Sequence, residues 1–245
     1  MKNSSYPPVR KVNNKQSRSV PHIVGSFYSS KMKNVIHYES LSECYFYFFL
    51  DLNPNVQAFY PQPVEIKIPT KNKEGESGFW LHVPDVLVRW EDQTYPTLFQ
   101  VKYEILEDKR QVLINKYCEL YSAKQNWNYK VVDIVNIPKV IMKNIKFLHS
   151  NRKERSYFKS LVGDIISKVN SEGVITIENL LNMLEDSHEK LMVLPAIYYL
   201  IANGSLWVDL KKNINRESEV AIGSIIEQLN ILEENRYSEN YEFEN

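Results

Sequence analysis

The sequence is poor in the residues that make flexible linkers, disulfide scaffolds and membrane spans. It has 7 glycines and 2 cysteines in 245 residues, and Cys44 and Cys118 both fall in segments with helical patterns. Two cysteines cannot form a zinc site unaided, so we interpret them as buried thiols. No apolar run approaches the roughly 20 residues that span a bilayer, and the amino terminus lacks the apolar stretch of a secretory signal. These absences predict a cytoplasmic globular protein without a membrane partner.

Two common catalytic signatures are also missing. No glycine-rich loop that could cradle phosphates occurs, so ATP binding is not supported. No serine nucleophile motif is present either. The five histidines show no metal-ligand spacing, and a structural role is the first interpretation for each, although His37 and His82 could lie near the polar cluster described below.

The formal net charge of zero conceals an uneven distribution of charge. Residues 1–38 contain seven Lys or Arg and no acidic residue, whereas residues 217–245 contain eight Glu and one Arg. Lysine and arginine displace counterions from nucleic-acid phosphates, so the basic arm predicts DNA contacts, and the acidic tail suits a basic protein surface. A solvated disordered end is the alternative for both. The candidate DNA contacts are Arg10, Lys11, Lys15, Arg18, Lys31 and Lys33.

The pattern of the first 150 residues predicts a mixed α/β domain. Residues 1–30 show no helical periodicity and suggest a surface arm. Ser40-x-x-Glu43 before an aromatic run is a capping-box signal, which predicts a helix that ends at Asn53-Pro54. The segments that follow suggest strands, a helix and a buried strand; they are 56–60, 64–68, 79–90 (interrupted at Pro84), 97–103, helix 107–127 and strand 129–136. This order favours a short mixed sheet with helices.

The character of the chain changes after about residue 150. Amphipathic helices are predicted over 155–169, 176–184 and 188–202, followed by a strand at 206–210. Three helices and a short strand resemble a winged helix-turn-helix domain. A plain helical bundle used for docking is the alternative, because the third helix carries little chemistry that could recognise bases. We therefore predict two domains, residues 1–150 and 151–245.

Four polar residues stand out together in the first domain. Asp85 follows Pro84 inside a predicted strand, and Gln100 and Lys102 project from one face of the next strand because side chains alternate. Glu43 on the preceding helix can complete the cluster. Magnesium prefers oxygen ligands and takes one or two protein carboxylates, while a lysine can orient water or balance charge on a phosphoryl transition state.

Each of these residues also has a structural interpretation. Asp85 could fix a turn, Glu43 could cap its helix, and Lys102 could be a surface strand residue. Their joint occurrence, in the order Glu, Pro-Asp, Gln-x-Lys, favours a site for phosphodiester hydrolysis.

The Pro84-Asp85 and Gln100-Val101-Lys102 motifs resemble those of the PD-(D/E)xK nuclease superfamily, which has the restriction-endonuclease-like fold. More narrowly, together with Glu43 and Gln62-Pro63, they are similar to TnsA, the endonuclease subunit of heteromeric transposases. The resemblance covers roughly residues 20–137, and Gln100 departs from the superfamily's usual acidic residue.

The resemblance implies a role for each motif residue. Glu43, Asp85, Gln100 and the Val101 carbonyl would bind Mg²⁺, for which Mn²⁺ substitutes, and Lys102 would be the catalytic lysine. The implied activity is DNA cleavage at the 5′ ends of a transposon, beside an integrase-type transposase and an AAA+ regulator. A restriction or junction-resolving nuclease, and a catalytically silent DNA-binding adaptor of the same fold, are the alternatives.

Overall fold

A computed structural model of the chain describes residues 6–9, 23–71, 75–104 and 108–229. Contacts group these residues into two compact units. The first unit takes in the described residues up to Phe46 and those from Asn55 to Asn136, and the second those from Tyr47 to Pro54 and from Ile137 onward. Residues 137–150 therefore group with the second unit, and the division into domains at residue 150 stays a prediction.

The first unit contains eight strands and two helices among its described residues, and the division between the units falls inside the first of these helices. In chain order they are β1 (Gly25–Ser29), β2 (Asn34–Tyr38), α1 (Leu41–Leu52), β3 (Val56–Pro61), β4 (Ile66–Lys71), β5 (Ser77–His82), β6 (Val86–Trp90), β7 (Thr97–Lys102), α2 (Lys109–Lys124) and β8 (Asn128–Asp133).

A mixed sheet with the strand order β3-β6-β7-β8 forms the centre of this unit. β6 is antiparallel to β3 and β7, whereas β7 and β8 are parallel and are joined through α2. Parallel neighbours need such a crossover, because a tight turn cannot return the chain to the same end of the sheet. Helix α1 packs against the sheet through Phe46, whose ring centre lies 5.1 Å from that of Phe99. The predicted α/β class with a mixed sheet is confirmed.

Two hairpins lie outside the central sheet and differ from the sequence-based expectation. β1 pairs with β2, so residues 25–29 form a paired strand, whereas the sequence suggested a surface arm over residues 1–30. The strand predicted over 79–90 is two strands: among the described residues β5 pairs with β4 alone, while β6 pairs with β3 and β7. Pro84 lies between them and has no N–H with which to continue a ladder.

The second unit contains, besides the end of α1, mainly helices. Its described elements are α3 (Lys139–Ser150), a 3₁₀ turn (Ser156–Phe158), α4 (Lys159–Glu172), β9 (Val174–Thr176), α5 (Ile177–Leu184), α6 (Lys190–Ala202), β10 (Leu206–Val208), β11 (Glu219–Ile222) and α7 (Ile226–Leu229). The three short strands form one antiparallel sheet in the order β10-β11-β9. α3, β9, β11 and α7 were not predicted, although Ile141, Ile145 and Leu148 give α3 a buried apolar stripe at helical spacing.

A buried charged cluster ties the end of α1 to α3 within this unit. Asp51 is 1% exposed, and its Oδ2 lies 3.1 Å from Nε2 of His149 and 3.3 Å from Nη1 of Arg152. The Arg152 nitrogen is not aligned for a hydrogen bond with any described residue, so its contribution is electrostatic. The His149 ring also stacks on Phe48 at 4.1 Å. A buried carboxylate needs such partners because burial without them is costly.

Candidate active site

Asp85 is held at the point where β6 begins. Its N–H donates to the carbonyl of Phe99 on β7 (3.1 Å), and its carbonyl accepts from the N–H of Gln62 after β3 (2.9 Å). Pro84 precedes it, and Val86 opens the regular pairing with Phe99. The backbone of Asp85 is therefore fixed from both sides, and its side chain is presented at the end of the sheet.

The Asp85 carboxylate contacts the predicted Gln100-Val101 segment directly. Its Oδ2 accepts a very short hydrogen bond from Nε2 of Gln100 and a second, of 2.6 Å, from the N–H of Val101. Gln100 is 4% exposed. On its other side, the Oε1 atom of Gln100 lies 2.8 Å from Nε2 of His82, the last residue of β5. The sequence favoured a structural role for His82, although it could also lie near the polar cluster.

The backbone of Val101 faces the same region. Its N–H bonds to the Asp85 side chain, whereas the carbonyl of the next residue, Lys102, accepts from Ile134 beyond β8. Because the N–H and C=O of one strand residue point to the same neighbour, the Val101 carbonyl also points toward the Asp85 side. The use of that carbonyl as a metal ligand stays a prediction.

Lys102 follows Gln100 on the same face of β7, where the strand passes from buried to partly exposed positions. The thiol of Cys118 on α2 lies within electrostatic range of both Lys102 and Asp85. Burial raises the pKa of Cys118 to about 12; a hydrogen bond with Tyr129 and the charge of Lys102 lower it, while Asp85 and Glu119 raise it further. The ammonium of Lys102 and the carboxylate of Asp85 therefore both act on the same buried thiol of α2.

Glu43 lies in the first turn of α1 and is 8% exposed. Its Oε1 accepts from the Ser40 hydroxyl (3.0 Å) and its Oε2 from the N–H of Glu39 (2.9 Å), while its own N–H donates to Ser40 Oγ (3.1 Å). These bonds show that the capping-box interpretation holds. The structure thus joins Asp85, Gln100 and Val101 by contact, and the role of Glu43 as a metal ligand stays a prediction.

Two family models match the chain, and their matches together cover more than half of its 245 residues. Residues 53–133 match the model described as TnsA-like endonuclease N terminal, and residues 136–210 match TnsA endonuclease C terminal. The chain belongs to the TnsA endonuclease family. No curated protein matches it. TnsA is a subunit of Tn7-type transposases and acts on DNA together with other Tns proteins. Nucleases of the TnsA type generally depend on divalent metals.

The N-terminal TnsA match contains Asp85, Gln100 and Lys102, whereas Glu43 precedes it. It also contains Gln62, which belongs to the Gln62-Pro63 motif of the resemblance. Gln62 is 5% exposed, its φ of 49° is in the left-handed region, and its side-chain carbonyl has no hydrogen-bond partner among the described residues. Such strain persists where surrounding structure enforces it, and here the residue positions the backbone of Asp85.

The donor atoms of this TnsA-type site fit a hard divalent cation. Asp85 offers a carboxylate, Gln100 an amide and Val101 a carbonyl, which are the oxygen ligands that Mg²⁺ prefers. Asp85 Oδ2 already accepts hydrogen bonds from two N–H donors, so a cation bound at that oxygen would compete with them. Within the described ranges, no group of three or more His, Cys, Asp and Glu side chains could hold a metal.

The six predicted DNA contacts divide into two groups. Arg10, Lys11, Lys15 and Arg18 lie outside the described residues. Lys31 and Lys33 lie in the turn between β1 and β2, where Lys33 is exposed and has a left-handed φ of 53°. In the part of the chain that the structure describes, no helix is long and apolar enough to cross a membrane.

Proposed function

We propose that this chain is a Mg²⁺-dependent endonuclease that hydrolyses phosphodiester bonds at the 5′ ends of a transposon during cut-and-paste transposition. The observation that supports it most strongly is the contact of the Asp85 carboxylate with Gln100 and with the N–H of Val101. Lys102 lies on the same face of β7 as Gln100. Family membership supports the reaction class, and the oxygen donors support Mg²⁺, with Mn²⁺ as a substitute.

In this proposal Asp85, Gln100, the Val101 carbonyl and Glu43 hold the cation. When bound there, such a cation would supply positive charge to the scissile phosphate and would lower the pKa of nearby water. Lys102 orients the attacking water and offsets the negative charge that grows on the phosphate oxygens. Gln62 keeps Asp85 in place through its backbone. The carboxylate of Glu43 keeps its bonds in the cap, because each oxygen has a further lone pair available.

Nicking of a supercoiled plasmid that carries transposon ends tests the proposal. The assay is run with Mg²⁺ or Mn²⁺, with and without an integrase-type transposase subunit and an AAA+ regulator. Asp85→Ala and Lys102→Ala should each lower nicking by about 100-fold or more, which is the scale seen when a group that stabilises transition-state charge is removed. Asp92→Ala and Lys124→Ala, which change exposed residues, are the matched controls.

The outcomes separate the alternatives. Equal nicking by the parent, Asp85→Ala and Lys102→Ala proteins would refute the assignment. A parent protein that binds the DNA but never nicks it, under any metal or partner condition, would favour the silent adaptor. Cleavage that depends on a target sequence unrelated to transposon ends would favour a restriction or junction-resolving nuclease.

We further propose that the C-terminal unit is a winged-helix module that contacts the AAA+ regulator. The order α4, β9, α5, α6, β10, β11 with one small antiparallel sheet supports this fold. The only charged residue of α6 is Lys190, and it pairs with Glu185 at 2.6 Å. Its neighbour Leu191 is 80% exposed. A helix with one paired charge and an exposed leucine suits a protein partner better than DNA. Leu191→Glu in the full chain should weaken regulator binding at least tenfold in a surface plasmon resonance assay; unchanged binding would refute this contact.

The basic arm is proposed to hold DNA beside the site. Lys31 and Lys33 occupy a hairpin turn, where two cations can reach phosphates without specifying sequence. A Lys31→Ala/Lys33→Ala double variant should bind duplex DNA more weakly at low salt and show a smaller salt dependence. A salt dependence equal to that of the parent would contradict this role.

A further inference from the structure

The side-chain amide of Gln100 has a defined orientation, because its two neighbours have different hydrogen-bonding capacities. An ionised carboxylate only accepts, so the NH₂ group of Gln100 must face Asp85, as the structure shows. The carbonyl oxygen then faces His82 Nε2 at 2.8 Å. A carbonyl only accepts, so His82 must donate through Nε2–H.

This orientation is the wrong one for binding a cation. A cation held by Asp85 requires the carbonyl oxygen of Gln100, yet the amide presents its N–H hydrogens to Asp85 Oδ2. Half a turn of the terminal amide exchanges the oxygen and the nitrogen without moving the strand. The NH₂ group would then face His82, and a neutral imidazole can accept there if its proton lies on Nδ1.

The chain places His82 so that it can serve both orientations. β5 ends at His82, and only Val83 and Pro84 separate it from Asp85, so the two residues approach the Gln100 amide from opposite sides. Gln100 is 4% exposed, so water has little room to replace a lost partner. An imidazole satisfies the amide in either state because its ring nitrogens exchange donor and acceptor roles.

We propose that His82 is a positioning residue for Gln100. It donates to the amide carbonyl in the metal-free site and accepts from the amide nitrogen when that carbonyl turns toward a divalent cation at Asp85. The inference rests on the proposed metal-dependent function. According to this inference, metal binding is accompanied by rotation of the Gln100 amide and by a change of the His82 tautomer.

Metal binding by the free protein tests this role without reference to DNA cleavage. Mn²⁺ affinity is measured by isothermal titration calorimetry and by the electron paramagnetic resonance signal of free Mn²⁺. His82→Leu should weaken binding by about tenfold or more, which is the usual effect of losing the partner that orients a ligand. His82→Gln should stay close to the parent because an amide both donates and accepts, and His37→Leu, at an exposed position, is the matched control.

Nitrogen NMR of the unaltered chain gives a signature that a merely structural histidine would not show. In protein labelled with ¹⁵N-histidine, Nε2 of His82 should be protonated without metal and unprotonated with saturating Mg²⁺, with the reverse change at Nδ1. His82→Gln identifies the resonances. This measurement also covers the case in which His82→Leu does not fold.

The outcomes distinguish this inference from the proposed function. If Asp85→Ala binds Mn²⁺ as well as the parent does, the metal site itself is wrong. If Asp85→Ala loses binding while His82→Leu keeps it, or if the His82 tautomer is the same with and without Mg²⁺, only the role of His82 is overturned.

Discussion

Gln100→Glu restores the acidic residue that is usual in the nuclease superfamily, and its cost can be estimated from the contacts of the amide. The change removes the hydrogen bond from Gln100 to the Asp85 carboxylate, which is worth about 1.5–3 kcal/mol for a charged acceptor. It also brings two carboxylates together. The pair can avoid this repulsion by binding a proton, so the repulsion cannot cost more than the protonation does. Keeping a glutamate of ordinary pKa protonated at pH 7 costs about 3.7 kcal/mol. We therefore expect the metal-free variant to lose roughly 2–4 kcal/mol of unfolding free energy.

Urea unfolding at pH 7, with EDTA or with saturating Mg²⁺, measures this effect. A cation between the two carboxylates offsets their repulsion, so Mg²⁺ should stabilise the variant more than it stabilises the parent. Gln111→Glu is the control, because Gln111 also donates a side-chain hydrogen bond, to Asn115 at 2.8 Å, but faces no carboxylate there. If Gln100→Glu without metal were as stable as Gln111→Glu, or if Mg²⁺ stabilised variant and parent equally, the reasoning would be refuted.

Three further predictions concern groups away from the amide. Asp51→Ala should destabilise the second unit by about 3–5 kcal/mol in thermal or urea unfolding, since it leaves the buried Nη1 atom of Arg152 without its carboxylate partner. Asp164→Ala at an exposed pair should cost less than about 1 kcal/mol, and similar losses would contradict this. Ser40→Ala should cost roughly 1 kcal/mol in the same assay, and no loss would show that the cap of α1 contributes nothing. Because burial raises the pKa of Cys118 from 9.0 to about 12, the thiol should resist labelling at pH 8.5 in the folded protein. The raised pKa stabilises the folded state; this contribution is complete below pH 9 and is lost as the pH rises toward 12. Rapid labelling of folded protein would disprove the burial.

Local patterns in the sequence were sufficient for the central part of the site. Strand alternation placed Gln100 and Lys102 on one face, and the Ser40-x-x-Glu43 spacing predicted the cap that the hydrogen bonds show. Asp85 could lie beside Gln100 only if the two strands were neighbours; β6 does pair with β7, and the two side chains meet. These features depend on neighbours within a turn or on adjacent strands.

Long-range pairing accounts for what the sequence could not reveal. A strand pattern over 79–90 that is interrupted at Pro84 does not show that β5 pairs with β4 in a separate hairpin, although this pairing brings His82 to Gln100. The grouping of α3 with Asp51 likewise depends on a contact between residues 98 apart in sequence. The orientation of the Gln100 amide is still harder to predict from the sequence, because it depends on which neighbouring groups donate and which accept hydrogen bonds.

Replacing an acidic ligand by glutamine changes the metal-free state as well as the affinity for metal. Two adjacent carboxylates repel each other and keep a site open for a cation, whereas Gln100 closes the site with a hydrogen bond to Asp85. In the proposed metal site, a cation would have to displace an existing N–H donor, and it would meet one negative charge fewer at that position. Negative charge that arrives with a DNA phosphate offsets this loss, so metal binding and DNA binding favour each other at such a site. The neutral side chain at residue 100 therefore suits a nuclease that acquires its metal fully only when DNA is in place.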